Sequence, residues 1–231
     1  MSTAHEVKTG TVQVYSAGIR AWHWINALAI LVLAVTGFFI GAPLPSVPGE
    51  ASDNFLFGYI RFVHFAAAYV ITIGFFARAY MALIGNHHER AIFWPDFHKR
   101  EFWDGALHQL RWYLFLESEP KKYVGHNPLS TIAMFIAYTL AMIVMILTGG
   151  AMYAEGAGMD SWQTFLFGWV ESLVGDNTFF LHTIHHVGMY VILLFVMVHI
   201  YTAIREETMS RQTMISAMMT GDRTFRDDRE D

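Results

Sequence analysis

The chain contains no cysteine among its 231 residues. That absence excludes structural disulfides, thiolate zinc sites and cysteine-ligated iron–sulfur clusters. Charge is scarce too: Asp, Glu, Lys and Arg make up 15% of the chain, against about 25% in an ordinary soluble domain. The formal net charge is −5, so no basic surface for nucleic acid is expected. Residues 1–19 hold no apolar run of the kind a secretory leader needs, and no cleavable signal peptide is expected.

Apolar residues, by contrast, reach 54%. A soluble core of this size cannot bury so much apolar surface. Crossing a bilayer takes about 20 consecutive apolar residues, and four stretches meet that length: about 21–41, 60–84, 129–153 and 179–204. Lipid offers no partner to backbone N–H and C=O groups, so each stretch should be helical. The fold class expected is all-α, an integral-membrane four-helix bundle read as a single domain over residues 1–231.

Between the spans, residues 42–58 carry Pro43, Pro45 and Pro48, and residues 154–178 carry Gly156, Gly158 and Gly175. Neither connection has a Lys or Arg; they hold Glu50, Asp53, Glu155, Asp160, Glu171 and Asp176. The long polar loop 85–127 has Arg90, Lys99, Arg100, Arg111, Lys121 and Lys122. The N-terminal segment has Lys8 and Arg20, and the polar tail 205–231 has Arg205, Arg211, Arg223, Arg226 and Arg229. Positive residues gather on the cytoplasmic side of membrane proteins, so both termini and the long loop are expected there. The tail is expected to fray. Residues 102–116 and 162–174 are too short to span and rich in interfacial aromatics, and each reads as a helix along the membrane surface.

Twelve histidines carry the chemistry. Those at positions 5, 87, 88, 98, 108 and 126 fall in polar segments and read as solvated. Ionisable residues inside spans are costly and mark function, which singles out His23, His64, His182, His185, His186 and His199. Following the alternating direction of the spans, His23 and His199 fall at the inner level. His64 and the 182–186 group fall at the outer level. His185 and His199 are 14 positions apart, a separation that leaves them about 40° apart on one helical face with roughly 21 Å of rise. His186 falls about 140° from His199. His185 is therefore the better outer ligand, and His182, one turn away, reads as a neighbouring polar group.

Two imidazoles at each of two levels suit a metal that needs only two protein ligands. Zinc wants a third or fourth, and no carboxylate sits at a matching depth. Haem needs two axial ligands and an apolar slot, and without a C-x-x-C-H motif it would be held non-covalently. Ala66, Ala67, Ala68 and Gly188 would leave room for it, while Ala27, Ala29, Gly37, Gly74, Gly149 and Gly150 would let helices approach closely. Stacked haems across a bilayer imply electron transfer rather than group-transfer catalysis. A passive membrane anchor, a stand-alone quinone-linked cytochrome b and a metal-ion carrier are the competing readings.

Five blocks carry a resemblance. They are Arg20-Ala21-Trp22-His23-Trp24, Gly58-Tyr59-Ile60-Arg61-Phe62-Val63-His64-Phe65 and Gly125-His126-Asn127-Pro128-Leu129, then His182-Thr183-Ile184-His185-His186-Val187-Gly188-Met189 and Ala203-Ile204-Arg205-Glu206-Glu207-Thr208-Met209-Ser210. In this order, with four spans between them, they resemble the b-type cytochrome subunit of membrane-bound nickel–iron hydrogenases over essentially the whole chain. Formate dehydrogenase cytochrome b subunits are similar in layout and more distant in these blocks.

The resemblance implies a diheme cytochrome b of the bacterial inner membrane, with two non-covalent b haems. His64 and His185 would be axial on the outer haem, and His23 and His199 on the inner. It implies electrons arriving from hydrogen through the iron–sulfur small subunit and the large subunit of a periplasmic hydrogenase, and leaving to quinone. No hydrogen-activating site is expected in this chain. The implied assembly is a dimer of heterotrimers in lipid. Trp22, Asn26, Tyr201, Arg205 and Glu206 lie at the inner level and are the quinone-site candidates, because a quinone carbonyl needs a hydrogen-bond donor and a proton source.

Overall fold

A computed structural model describes residues 10–45, 50, 54–85, 87–209 and 213–225. His5, Lys8, Pro48, Asp53, Ser210, Arg211, Arg226 and Arg229 lie outside the described residues.

Four long helices carry the chain, as the apolar runs require. They are α1 (Ala17–Gly41), α2 (Leu56–Ile84), a third span Pro128–Glu155, and α8 (Thr178–Met209). Their mean hydropathies are 1.7 to 2.3, yet only 6 to 28% of each apolar window is buried. Leu28, Leu31, Phe62, Ile73 and Leu194 are each 60% exposed or more. Such outward apolar surface suits hydrocarbon and not water. The all-α class and the four membrane helices are thus as expected.

The third span is not uniform. It begins as α5 (Pro128–Met134), widens into a π-helical segment at Phe135–Leu140 and continues as α6 (Ala141–Glu155). Asn127 caps it: its Oδ1 accepts the Ser130 N–H at 2.8 Å, and Pro128 sits where the helix needs no donor. The π segment directs Thr139 toward the loop before it, where its Oγ1 donates to the Ile92 carbonyl at 2.8 Å. Short helices α3 (His87–Arg90), α4 (Arg100–Tyr113), α7 (Trp162–Leu173) and α9 (Met214–Thr220) complete the set. Helices α4 and α7 coincide with the two expected surface stretches.

The described chain divides into two compact units. The first comprises Met1–Trp22, Arg78–Thr139 and Leu194–Asp231; the second comprises His23–Ala77 and Leu140–Leu193. In the second unit Ala151, Val170 and Leu181 form a buried cluster, backed by Phe167. Gly150 lets that ring in, since a Cβ there would lie 2.6 Å from it.

In the first unit the expected fraying of the tail does not hold for residues 213–225. Strand β1 (Gly10–Gln13) pairs antiparallel with β2 (Asp222–Phe225), Gly10 opposite Phe225 and Gln13 opposite Asp222. Val14, Tyr15, Ile19 and Ala217 pack beneath, with Met81 and Val124 against them. Gly221 ends α9 in the left-handed region at φ 95°, and a Cβ there would also lie 2.8 Å from the Tyr15 carbonyl. The buried Arg223 donates to the Gly125 carbonyl at 2.6 Å. Residues 213–225 are held by packing and a cation on carbonyls, which their polar composition conceals.

Candidate functional site

His64 and His185 both belong to the second unit, on α2 and α8. Each meets a threonine of another helix. Thr36 Oγ1 on α1 lies 2.8 Å from His64 Nδ1, and Thr148 Oγ1 on α6 lies 2.8 Å from His185 Nδ1. Each hydroxyl also makes a 2.7 Å bond to a carbonyl one turn back in its own helix, Val32 for Thr36 and Val144 for Thr148. A glycine follows each threonine. A Cβ at Gly37 would lie 3.3 Å from His64 Cε1, and one at Gly149 would lie 3.0 Å from His185 Cε1. These two glycines receive imidazole rings, a more specific task than the helix approach expected of them.

Gly37 also faces Met189 Sδ, at 3.6 Å from its notional Cβ. Segments of α1, α2, α6 and α8 therefore meet around the two histidines within one unit. Gly188 differs from its expected role: a Cβ there would lie 2.5 Å from Met145 Sδ, so its space is filled by a side chain. His186 points to α1, packing on Gly41, where a Cβ would sit 2.6 Å from its Nε2. His182 Nε2 lies 3.6 Å from the Glu155 carboxylate.

His23 falls in the second unit and His199 in the first. His23 meets Trp24 edge-on, ring centroids 5.1 Å apart. His199 stacks on Phe195 at 5.7 Å, and the aromatic run continues to Tyr138 at 6.3 Å and on to Trp22 at 6.0 Å, all in the first unit. Trp22 also lies against Arg78, whose guanidinium sits 5.5 Å from its ring and 5.7 Å from Phe93. Arg78 is buried and donates through Nη2 to the Glu89 carbonyl at 2.5 Å. Its Nε and Nη1, and the indole Nε1 of Trp22, are buried with no hydrogen-bond partner among the described residues.

Of the other inner-level candidates, Asn26 is buried in the second unit and Tyr201 is 57% exposed in the first. Arg205 and Glu206 are built into the end of α4. Arg205 donates to the Trp112 and Tyr113 carbonyls, both at 2.8 Å, and lies over the rings of Trp112, Tyr113 and Phe115. A cation on the last carbonyls of a helix is favoured by charge and geometry. Here it also steadies Phe115, which adopts φ 60° where glycine is usual.

Glu206 accepts from Gln109 Nε2 at 2.7 Å and from the Tyr113 hydroxyl at 3.0 Å. Burial, reinforced by the Glu206 charge, pushes the Tyr113 hydroxyl up to about 12, and the same two causes push Tyr123 up to about 12. Burial pushes Tyr15 up to about 12 as well, against the lowering pull of Arg223 and Arg78. Arg223 is held below the ordinary arginine value by burial.

The sequence alone singles out none of Thr36, Arg78, Gln109, Tyr113 and Thr148 as site residues. A signal for the threonines existed: a Thr-Gly pair recurs in the first and third spans, Thr36-Gly37 and Thr148-Gly149.

A sequence profile described as prokaryotic cytochrome b561 matches residues 14–221. A protein of Azotobacter vinelandii named "Probable Ni/Fe-hydrogenase B-type cytochrome subunit" is 55% identical over 97% of this chain and 93% of its own length. One of the same name from Rhizobium leguminosarum bv. viciae is 56% identical, again over 97% and 93%. The Escherichia coli K12 protein "Probable Ni/Fe-hydrogenase 1 B-type cytochrome subunit" is 41% identical over 92% and 91%. The chain is therefore a multi-pass bacterial membrane protein of the prokaryotic cytochrome b561 family, and within that family it belongs with the Ni/Fe-hydrogenase B-type cytochrome subunits.

Proposed function

We propose that this chain is the diheme subunit of a membrane-bound Ni/Fe hydrogenase, fixing the enzyme to the membrane and carrying electrons from hydrogen to quinone. The family is one of b-type cytochromes, and the residues fit that haem. The observation that carries the reading is the His64–His185 pair, each ring held at Nδ1 by a threonine and each leaving Nε2 for iron. Among the described residues, no three or more of His, Cys, Asp and Glu gather to hold a metal ion. Two imidazoles are enough for a haem iron with both axial positions filled. When bound, haem b supplies one-electron exchange between ferrous and ferric iron.

In this reading His64 and His185 would hold one haem, and His23 and His199 the other. The chain's own work is to orient these imidazoles, exclude water and set the local field. At the level of Trp22, the indole N–H and Arg78 Nε and Nη1 are three buried donors with no acceptor among the described residues. A quinone carbonyl or a haem carboxylate supplies what they lack, and this supports a polar ligand near Trp22. Asn26 and Tyr201 remain candidates there. Arg205 commits Nη1 and Nη2 to the end of α4, and Glu206 accepts from Gln109 and Tyr113 of the same helix, so both serve α4 first.

The charge bias supports a cytoplasmic position for the termini and the 85–127 loop, and with it a periplasmic position for the hydrogenase small and large subunits. A dimer of heterotrimers is the assembly proposed. Haem quantitation on the purified complex tests the reading. His185→Ala and His199→Ala should each remove about half the haem, while His182→Ala should keep it all. Full haem in both of the first two variants would reject the assignment. Recovery of the chain from mild detergent without hydrogenase subunits would reject the anchoring role.

A further inference from the structure

We infer that Thr36 and Thr148 are positioning residues that fix the tautomer and ring rotation of His64 and His185 and lower the reduction potential of the haem these ligate. The inference rests on the proposal that the two histidines are axial ligands.

The geometry decides which atom donates. A carbonyl has no proton, so the 2.7 Å contacts from Thr36 to Val32 and from Thr148 to Val144 require the hydroxyl to donate. A hydroxyl has one proton, and it is engaged there. What remains toward the imidazole is a lone pair, so each Nδ1 must carry the hydrogen and donate it at 2.8 Å. Both neutral rings are thereby set as Nδ1–H, with the Nε2 lone pair available to a metal. Neither tautomer is left to chance in an apolar span, where an unpaired N–H is costly.

The arrangement is duplicated on helices with little else in common. In each case the threonine bonds back into its own helix, the next residue is glycine, and the ring lies against that glycine. The hydroxyl holds one edge of the imidazole, and the missing side chain makes room for the ring beside it. A β-branched threonine has few rotamers in a helix, and the carbonyl bond removes the remaining freedom.

An acceptor on Nδ1–H makes the imidazole a stronger base toward its metal. The Val32 and Val144 carbonyls polarise the hydroxyls further, as linked hydrogen bonds do in a dry interior. A more basic axial ligand favours ferric over ferrous iron. Removing the hydroxyl should therefore ease reduction.

The test uses the full chain, purified in mild detergent with its haem. Thr36→Val and Thr148→Val delete the acceptor and keep the branched shape; Thr36→Ser and Thr148→Ser restore a hydroxyl. Haem content, optical redox titration and low-temperature EPR are the readouts. Each Val variant should keep its haem and shift one of the two couples about tenfold toward the reduced form, or 59 mV for one electron. The other couple should stay in place, and Ser should return the wild-type value. The EPR signal of the same haem should broaden as the ring loses its fixed rotation.

Unchanged potentials in both Val variants with full haem would overturn the inference. Should a Val variant lose its haem, a Ser variant that keeps both haem and wild-type potential supports the hydroxyl's role, and a Ser variant that fails likewise counts against it. Full haem in His64→Ala and His185→Ala would instead overturn the ligand assignment on which the inference stands.

Discussion

The second unit holds its paired histidines with buried hydroxyls, whereas the first, besides the hydroxyls of Thr131 and Thr139, gathers spare backbone carbonyls with buried guanidinium groups. In the second, Thr36 and Thr148 bond to their own helices and to a histidine. In the first, Arg78, Arg205 and Arg223 are all buried and all donate to backbone carbonyls. The difference follows from the backbone nearby. Continuous helices consume their own carbonyls, so only a side chain bonding within its helix fits. Loops and helix ends leave carbonyls over, and an arginine with five donors can gather several. Buried positive charge in this protein therefore marks interrupted backbone.

Four experiments can break or sharpen that contrast. Arg205→Leu should cost the most. It removes two charge-assisted bonds, at about 2 kcal/mol each, or about 4 kcal/mol together. Thermal unfolding in detergent should show it, with Arg205→Lys recovering only part, because a lysine cannot take both carbonyls in one plane. A loss no larger than that of a surface substitution would deny the arginine its role on α4.

High pH probes the same unit. Tyr15 holds its proton up to about 12 when folded, against an ordinary value of 10.0. Its contribution is complete below pH 10 and is lost as pH rises toward 12, because only the unfolded chain ionises there. At about 1.4 kcal/mol per unit, this amounts to about 3 kcal/mol. Tyr15→Phe should flatten the decline in unfolding temperature between pH 10 and 12. Tyr113 and Tyr123 ionise in the same window, so the decline should shrink and not vanish.

For the second unit, Gly149→Ala should cost about 2 kcal/mol by overpacking, and Gly37→Ala about half as much. The ranking follows from the notional Cβ distances to the imidazoles, 3.0 and 3.3 Å. A reversed order in thermal midpoint would show that the neighbour at Gly37 yields less readily than His185. The smallest effect should come from Asn127→Ala, about 1 kcal/mol for one lost helix cap.

The spans were legible in the sequence because lipid imposes a length and a composition that few other contexts share. The spacing of His185 and His199 was legible because a helix fixes direction along its length. Thr36 and Thr148 were not, since a threonine in an apolar helix ordinarily bonds back one turn whether or not it touches anything else. The π-helical segment at Phe135–Leu140 has no signature in its residues; its widening shows only in the reach of Thr139 to Ile92. Nor did Gly10–Gln13 read as a strand, being four residues long with no alternation to detect. Its partner lies at the far end of the chain, and local pattern carries no trace of such pairing.

That pairing constrains how the protein can be made. The two strands can zip together only once every span has been threaded, so β1 must wait, unpartnered, for the ribosome to release β2. A chain truncated before Asp222 leaves the early strand with exposed N–H groups, a handle by which quality-control proteases could distinguish unfinished molecules from finished ones.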